Sequence, residues 1–144
     1  MIEGTILLVD DSPDDVALTL RAFRTNNITN KVDVVYDGEE ALSYLLKDGE
    51  RHERPVLILL DINLPKVSGL EVLRQIRKDE RTRYLPLVML STSSEDRDIV
   101  ESYDLGANSY IRKPVVFDEF VNAVRVLGLY WLLVNQPVLT PAGD

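Results

Sequence analysis

Asp10 and Asp11 close the apolar run Ile6-Leu7-Leu8-Val9, and Asp61 closes a second, Val56-Leu57-Ile58-Leu59-Leu60. In an open α/β sheet, ligands collect outside the carboxyl ends of the strands. Two such ends bearing acids would therefore place three carboxylates in one pocket. Neighbouring carboxylates repel one another unless a cation or protons intervene, and an all-oxygen donor set selects Mg2+, with Mn2+ as an alternative, over zinc. The spacing predicts a divalent-cation site. For Asp10-Asp11 a second reading stays open, because acids before Ser12-Pro13 are also a common helix-start composition that complements the helix dipole. Asp61 is different: it is followed by Ile62-Asn63-Leu64-Pro65, a turn-forming stretch with no obvious helix to cap.

Two more residues complete a constellation. Ser91 ends the run Leu87-Val88-Met89-Leu90 and brings a hydroxyl to the same sheet edge, while Lys113 follows Ser109-Tyr110-Ile111-Arg112 and brings an ammonium. Singly, a serine after a strand is most often a turn residue and a lysine before proline most often solvated. Together with the acids they suit a phosphoryl group: cation and Lys113 neutralise its oxygens, Ser91 donates to one, and one carboxylate is left as nucleophile.

The elements that must position these residues follow from periodicity. Strands are expected at Thr5 to Val9, Lys31 to Val35, Val56 to Leu60, Leu87 to Leu90 and Ser109 to Arg112. Between them, helices are expected from Pro13 to Thr25, Gly38 to Lys47, Gly69 to Lys78, Glu95 to Leu105 and Phe117 to about Leu133. Five β-α units joined by right-handed crossovers give an α/β fold, a parallel sheet wound on both faces. The first and third strands are apolar throughout, as doubly covered central strands should be. Ser12 before Pro13 marks one helix start, and Ser94-Glu95-Asp96 another. The polar stretch from Lys47 to Pro55 reads as a loop, in which His52, the chain's single histidine, has no catalytic context and the charges of Arg51 to Arg54 are solvated. Phe23, Tyr44 and Phe120 fall at helical spacing among aliphatics and read as core.

Composition narrows the function. The chain has 144 residues, 24 acids against 16 bases, a net charge of -8 and no cysteine. That balance argues against a basic nucleic-acid face, and the missing thiols exclude disulfides and cysteine-based chemistry. Nothing at the N-terminus reads as a secretory signal, and the apolar stretch from Val126 to Val134 is far short of the roughly 20 residues a membrane helix needs. The expectation is a soluble, cytoplasmic protein with no direct nucleic-acid or membrane contact.

From Thr5 to Gly128 the chain resembles the receiver domain of two-component response regulators, of the chemotaxis-regulator kind. The resemblance is carried by Asp10-Asp11, by Asp61 with Pro65 and Gly69 behind it, by Ser91, by Gly106-Ala107, and by Tyr110 and Lys113-Pro114. It implies the flavodoxin-like (βα)5 fold with strand order 2-1-3-4-5, and it implies that Asp61 accepts phosphate from a histidine kinase. It also implies that Asp11, Asp61 and the backbone carbonyl of Asn63 coordinate magnesium, with Asp10 acting through water. Ser91 would move to grip the phosphoryl group, Tyr110 would follow it inward, and the Lys113-Pro114 bond would be cis. Family members differ at the positions held here by Asn63 and Ser93, which flank the attacking water.

The tail departs from a minimal receiver. Val126-Leu127-Gly128-Leu129-Tyr130-Trp131-Leu132-Leu133-Val134 is apolar on almost every face, so it needs burial beyond its own sheet. We expect a receiver domain over 1–128 and, over 129–144, an extension without an effector domain that forms a homodimer contact through Tyr130, Trp131, Leu132 and Leu133. The alternative is a tail folded back on its own domain. A long final helix with such a run, and a long loop before the third strand, resemble the stand-alone regulators paired with bacterial phytochromes. Two rival functions stay in view: a magnesium-dependent phosphohydrolase with Asp61 as nucleophile, and a pseudo-receiver that binds partners without phosphorylation.

Overall fold

The computed structural model describes residues 4–25, 27–46, 54–91 and 95–112. Strands β1 (Ile6–Val9), β2 (Val32–Val35), β3 (Leu57–Leu60), β4 (Leu87–Ser91) and β5 (Ser109–Arg112) alternate with helices α1 (Pro13–Thr25), α2 (Gly38–Leu46), α3 (Gly69–Lys78) and α4 (Asp96–Asp104). All strand pairs are parallel, in the order β2-β1-β3-β4-β5, as expected. The helix expected from Phe117 lies outside the described residues.

Period-2 alternation divides the apolar strands between two cores. Ile6, Leu8, Leu57, Leu59, Val88 and Leu90 face one side, where Val16, Ala22 and Phe23 of α1 meet them. Leu7, Val9, Ile58, Leu60, Leu87 and Met89 face the other, against Ala41 and Leu45 of α2 and Val72, Leu73 and Ile76 of α3. Every residue of β1 and β3 is buried, which is why those runs carry no polar residue until they end. At about 1.5–3 kcal/mol for each fully buried large aliphatic, these two strands supply much of the driving force that fixes the sheet. Phe23 is core as expected, and Tyr44 packs beside the second core with its hydroxyl donating to Asp33.

Helix ends follow local chemistry. Ser12 Oγ accepts from the Asp15 amide and Ser68 Oγ from the Glu71 amide, each at 3.2 Å. In α4 the N-cap falls on Glu95, whose side chain makes no capping bond, and the Ser94 expected to cap lies outside the described residues. No helix among the described residues is long and apolar enough to cross a membrane.

Candidate functional site

Register brings the acids together. Val9 pairs with Leu60, so Asp10 and Asp61 are the next residues on adjacent central strands. The ladder continues one step into the site: the Asp61 amide donates to Val9 O at 3.0 Å and the Asp10 amide to Val35 O at 3.1 Å. Carboxylate oxygens of Asp10, Asp11 and Asp61 all lie within 4.8 Å of one another. Asp10 is 1% exposed and Asp61 9%, whereas Asp11 faces solvent.

Local hydrogen bonds aim the two buried carboxylates. The Ser12 amide donates to Asp10 Oδ1 at 3.0 Å and the Asn63 amide to Asp61 Oδ1 at 3.2 Å. Each acid thus closes a small Asx-type turn that bends the chain away from the strand end. The helix-start reading of Asp10-Asp11 gives way, since Ser12 does the capping of α1. What remains is a cup of three carboxylates, two of them withdrawn from water, whose mutual repulsion grows as the local dielectric falls. Oxygen-only donors fit a hard cation such as Mg2+ or Mn2+ and offer nothing to a soft one.

The loop that carries Asp61 into α3 is held from two sides. On one, the Gly69 amide donates to Ile62 O at 2.8 Å, and a Cβ at Gly69 would lie 1.9 Å from the carbonyl oxygen of Asp61. The start of α3 therefore rests directly on the backbone of Asp61. On the other, a Cβ at Gly38 would lie 2.0 Å from Val67 O, and the Gly38 amide donates to Pro65 O at 3.3 Å. Lys66 turns the loop with φ 69 and reaches Asp37 at 3.6 Å. Pro65 and Gly69 stood out in the sequence. Gly38 did not, because a glycine opening a helix reads as a helix signal and its partner, Val67 O, lies far along the chain.

Of the remaining expected residues, Ser91 is the last residue of β4, paired with Arg112. Since Leu60 pairs with Met89, β4 and β5 deliver their ends to the same edge as Asp61. Tyr110 sits on β5 opposite Met89, partly buried beside the second core, its amide donating to Tyr103 Oη at 3.2 Å. Asn63 is exposed in the loop. Lys113, Pro114, Ser93, His52, Phe120 and the tail residues Tyr130, Trp131, Leu132 and Leu133 lie outside the described residues.

Known proteins resemble this chain in sequence and in fold. The chain is 41% identical over 132 residues to the probable methanogenesis regulatory protein FilR2 of Methanothrix harundinacea, covering 91% of this chain and 85% of that one. It is 36% identical over 139 residues to the response regulator Rcp1 of Synechocystis sp., covering 95% and 92%. Its structure resembles the phosphorylated cyanobacterial phytochrome response regulator RcpA (TM-score 0.88, 39% identity, 94% of this chain and 98% of that). It also resembles the Mn(2+)-bound form of Rcp1 (TM-score 0.86, 34% identity, 94% and 99%). Residues 6–125 match the family described as the response regulator receiver domain. With the doubly wound sheet, the acid cluster at its carboxyl edge and relatives covered nearly end to end, the chain belongs to the response regulator receiver domain family.

Proposed function

We propose that Asp61 accepts a phosphoryl group from the phosphohistidine of a histidine kinase and that the phosphorylated chain signals through protein contacts. The observation that carries this reading is the convergence of Asp10, Asp11 and Asp61 within 4.8 Å, with Asp61 backed by β3 and Gly69. Asp61 is the acid at the centre of the sheet edge, aimed by Asn63 and unable to retreat. Asp10, Asp11, Asp61 and the backbone carbonyl of Asn63 would hold Mg2+, or Mn2+. When bound, the ion supplies positive charge that offsets the carboxylates and the phosphoryl oxygens. A carboxylate oxygen of Asp61 attacks phosphorus, the P–N bond of phosphohistidine breaks, and the imidazole leaves with the electron pair. Lys113 neutralises one phosphoryl oxygen and Ser91 donates to another. The added charge draws Ser91 inward, and Tyr110 and the Lys113-Pro114 segment follow.

The chain is a signalling protein, and its chemistry on this reading is confined to its own phosphorylation and dephosphorylation. The likeness to RcpA supports a phytochrome-type kinase as phosphodonor. A net charge of -8 disfavours direct nucleic-acid binding. On sequence grounds the receiver occupies 1–128, and 129–144 forms a homodimer contact through Tyr130, Trp131, Leu132 and Leu133.

Incubation with acetyl phosphate and Mg2+, read by intact mass, should add one phosphate that Asp61→Asn abolishes. An unmodified wild type, under conditions that label a control receiver, would sink the proposal. Steady hydrolysis of a phosphomonoester would favour the phosphohydrolase instead.

A further inference from the structure

The loop after Asp61 is built from two tight turns. The Leu64 amide donates to Ile62 O at 3.1 Å, closing a three-residue turn around Asn63, and the Val67 amide donates to Pro65 O at 2.8 Å, closing another around Lys66. Lys66, the central residue of the second, stands at φ 69. A γ-turn with a positive central φ is rare and strained, and that region is one that glycine adopts freely and other side chains do not. The residue is nevertheless a lysine, so its surroundings must over-determine the conformation for it to persist.

The corner between β2 and α2 supplies those surroundings. The Gly38 amide donates to Pro65 O at 3.3 Å, so this one carbonyl accepts from both Gly38 and Val67. Gly38 also lies against Val67 O, where a Cβ would not fit. The carbonyls on both sides of Lys66 thus rest on Gly38, and Lys66 Nζ reaches the neighbouring Asp37 Oδ2 at 3.6 Å. Asp37 is itself held in place. Its Oδ1 accepts the Glu40 amide at 2.8 Å, its carbonyl accepts the Ala41 amide at 3.1 Å, and Glu40 Oε2 accepts the Tyr36 amide at 2.8 Å. Side chain and backbone together cap the first turn of α2. The Asp37 side chain is 14% exposed against 58% for Lys66, so the acid is the fixed partner and the lysine the tethered one.

Only Leu64 and Pro65 separate Lys66 from Asn63, whose amide aims Asp61 Oδ1. We propose that Asp37 and Lys66 are positioning residues for the acid pocket: their ion pair holds the strained turn, and through it the Asn63 carbonyl, so that divalent-cation affinity depends on two residues outside the carboxylate cluster. This rests on the reading of the pocket as an ion site with the Asn63 carbonyl among its ligands.

The sign of the effect separates positioning from plain electrostatics. Acting only through space, Lys66 repels a cation and Asp37 attracts one, so neutralising the lysine would tighten binding and neutralising the acid would loosen it. If the pair holds the loop, both changes loosen it. Asp37→Asn keeps an oxygen for the Glu40 amide and caps a helix equally well, so the fold is preserved. Mn2+ binding to the full-length protein, read from the electron paramagnetic resonance of the free ion, is the measurement. Lys66→Gln and Asp37→Asn should each weaken binding by about threefold, a size that a partly exposed ion pair can transmit. The double variant should lose no more than Asp37→Asn alone, and Lys66→Arg, which keeps the pair, should bind as wild type does. Tighter or unchanged binding in Lys66→Gln, or losses that multiply in the double variant, overturn the proposal. A wild type that binds no Mn2+ refutes the ion-site reading itself, and the proposal with it.

Discussion

At Asp10 one charge is expected to act on stability and on ion binding in opposite directions. It is 1% exposed, its Oδ1 accepts the Ser12 amide, and its oxygens lie within 4.8 Å of those of Asp11 and Asp61. Asparagine keeps the shape and the oxygen acceptor and removes the charge. In chelator the substitution relieves like-charge repulsion, and Asp10→Asn should be stabilised by about 1 kcal/mol, raising the melting temperature. In Mg2+ the order reverses, because the same charge serves the ion, and affinity should fall about tenfold or more. Thermal melts in chelator and across a Mg2+ titration check both halves; a variant less stable than wild type in chelator would refute the repulsion argument. Asp11→Asn should show the same signs with smaller size, since Asp11 faces solvent and its field is screened.

Elements were legible wherever the decisive contacts are local. Among the described residues, helices α1 and α3 and strand β5 run as expected, and β1, β2, β3, β4 and α4 differ by one residue at an end or at each end, because alternation and caps are written in neighbouring residues. Contacts between elements were not legible. Gly38 against Val67 O, and Arg77 against the carbonyls of two loops, use backbone acceptors that every residue offers, so no residue type marks them. Gly69→Ala tests the closest of these contacts. Its Cβ would sit 1.9 Å from Asp61 O, and neither backbone can yield without moving the site. The cost should be roughly 2–4 kcal/mol, similar to Leu59→Ala in the core, but only Gly69→Ala should also lower phosphorylation of the folded protein. Urea melts with acetyl phosphate labelling distinguish the two. The loop after α3 adds a pH term: hydrogen bonds from Arg81 hold the Asp79 carboxyl below its usual range. A carboxyl depressed in the folded state contributes stability above its unfolded pKa of about 4, and that contribution is lost as pH falls through the folded value. The gap between wild type and Asp79→Asn should therefore be small but constant near neutrality and close under acid; a gap that widens on acidification would contradict the assignment.

At the scale of the whole molecule, the acid pocket and the proposed association draw on separable parts of the chain. The acid pocket is assembled by β1, β3 and the start of α3, while the run from Val126 to Val134 holds, apart from Gly128, only large apolar residues. At about 1.5–3 kcal/mol for each large apolar side chain left in water, exposure of that stretch would cost more than a small domain can spare. On the proposed reading a second copy would offer that cover, with the two aromatics Tyr130 and Trp131 as the largest groups to bury. The full-length chain should then scatter light as a dimer at micromolar concentration, and the double substitution of Tyr130 and Trp131 to alanine should give a monomer. Because the three carboxylates come from the ends of β1 and β3, the monomer should still take one phosphate on Asp61 from acetyl phosphate. A wild type already monomeric at micromolar concentration would return the tail to its own domain. A monomeric variant that cannot be phosphorylated would instead mean that the two parts are coupled.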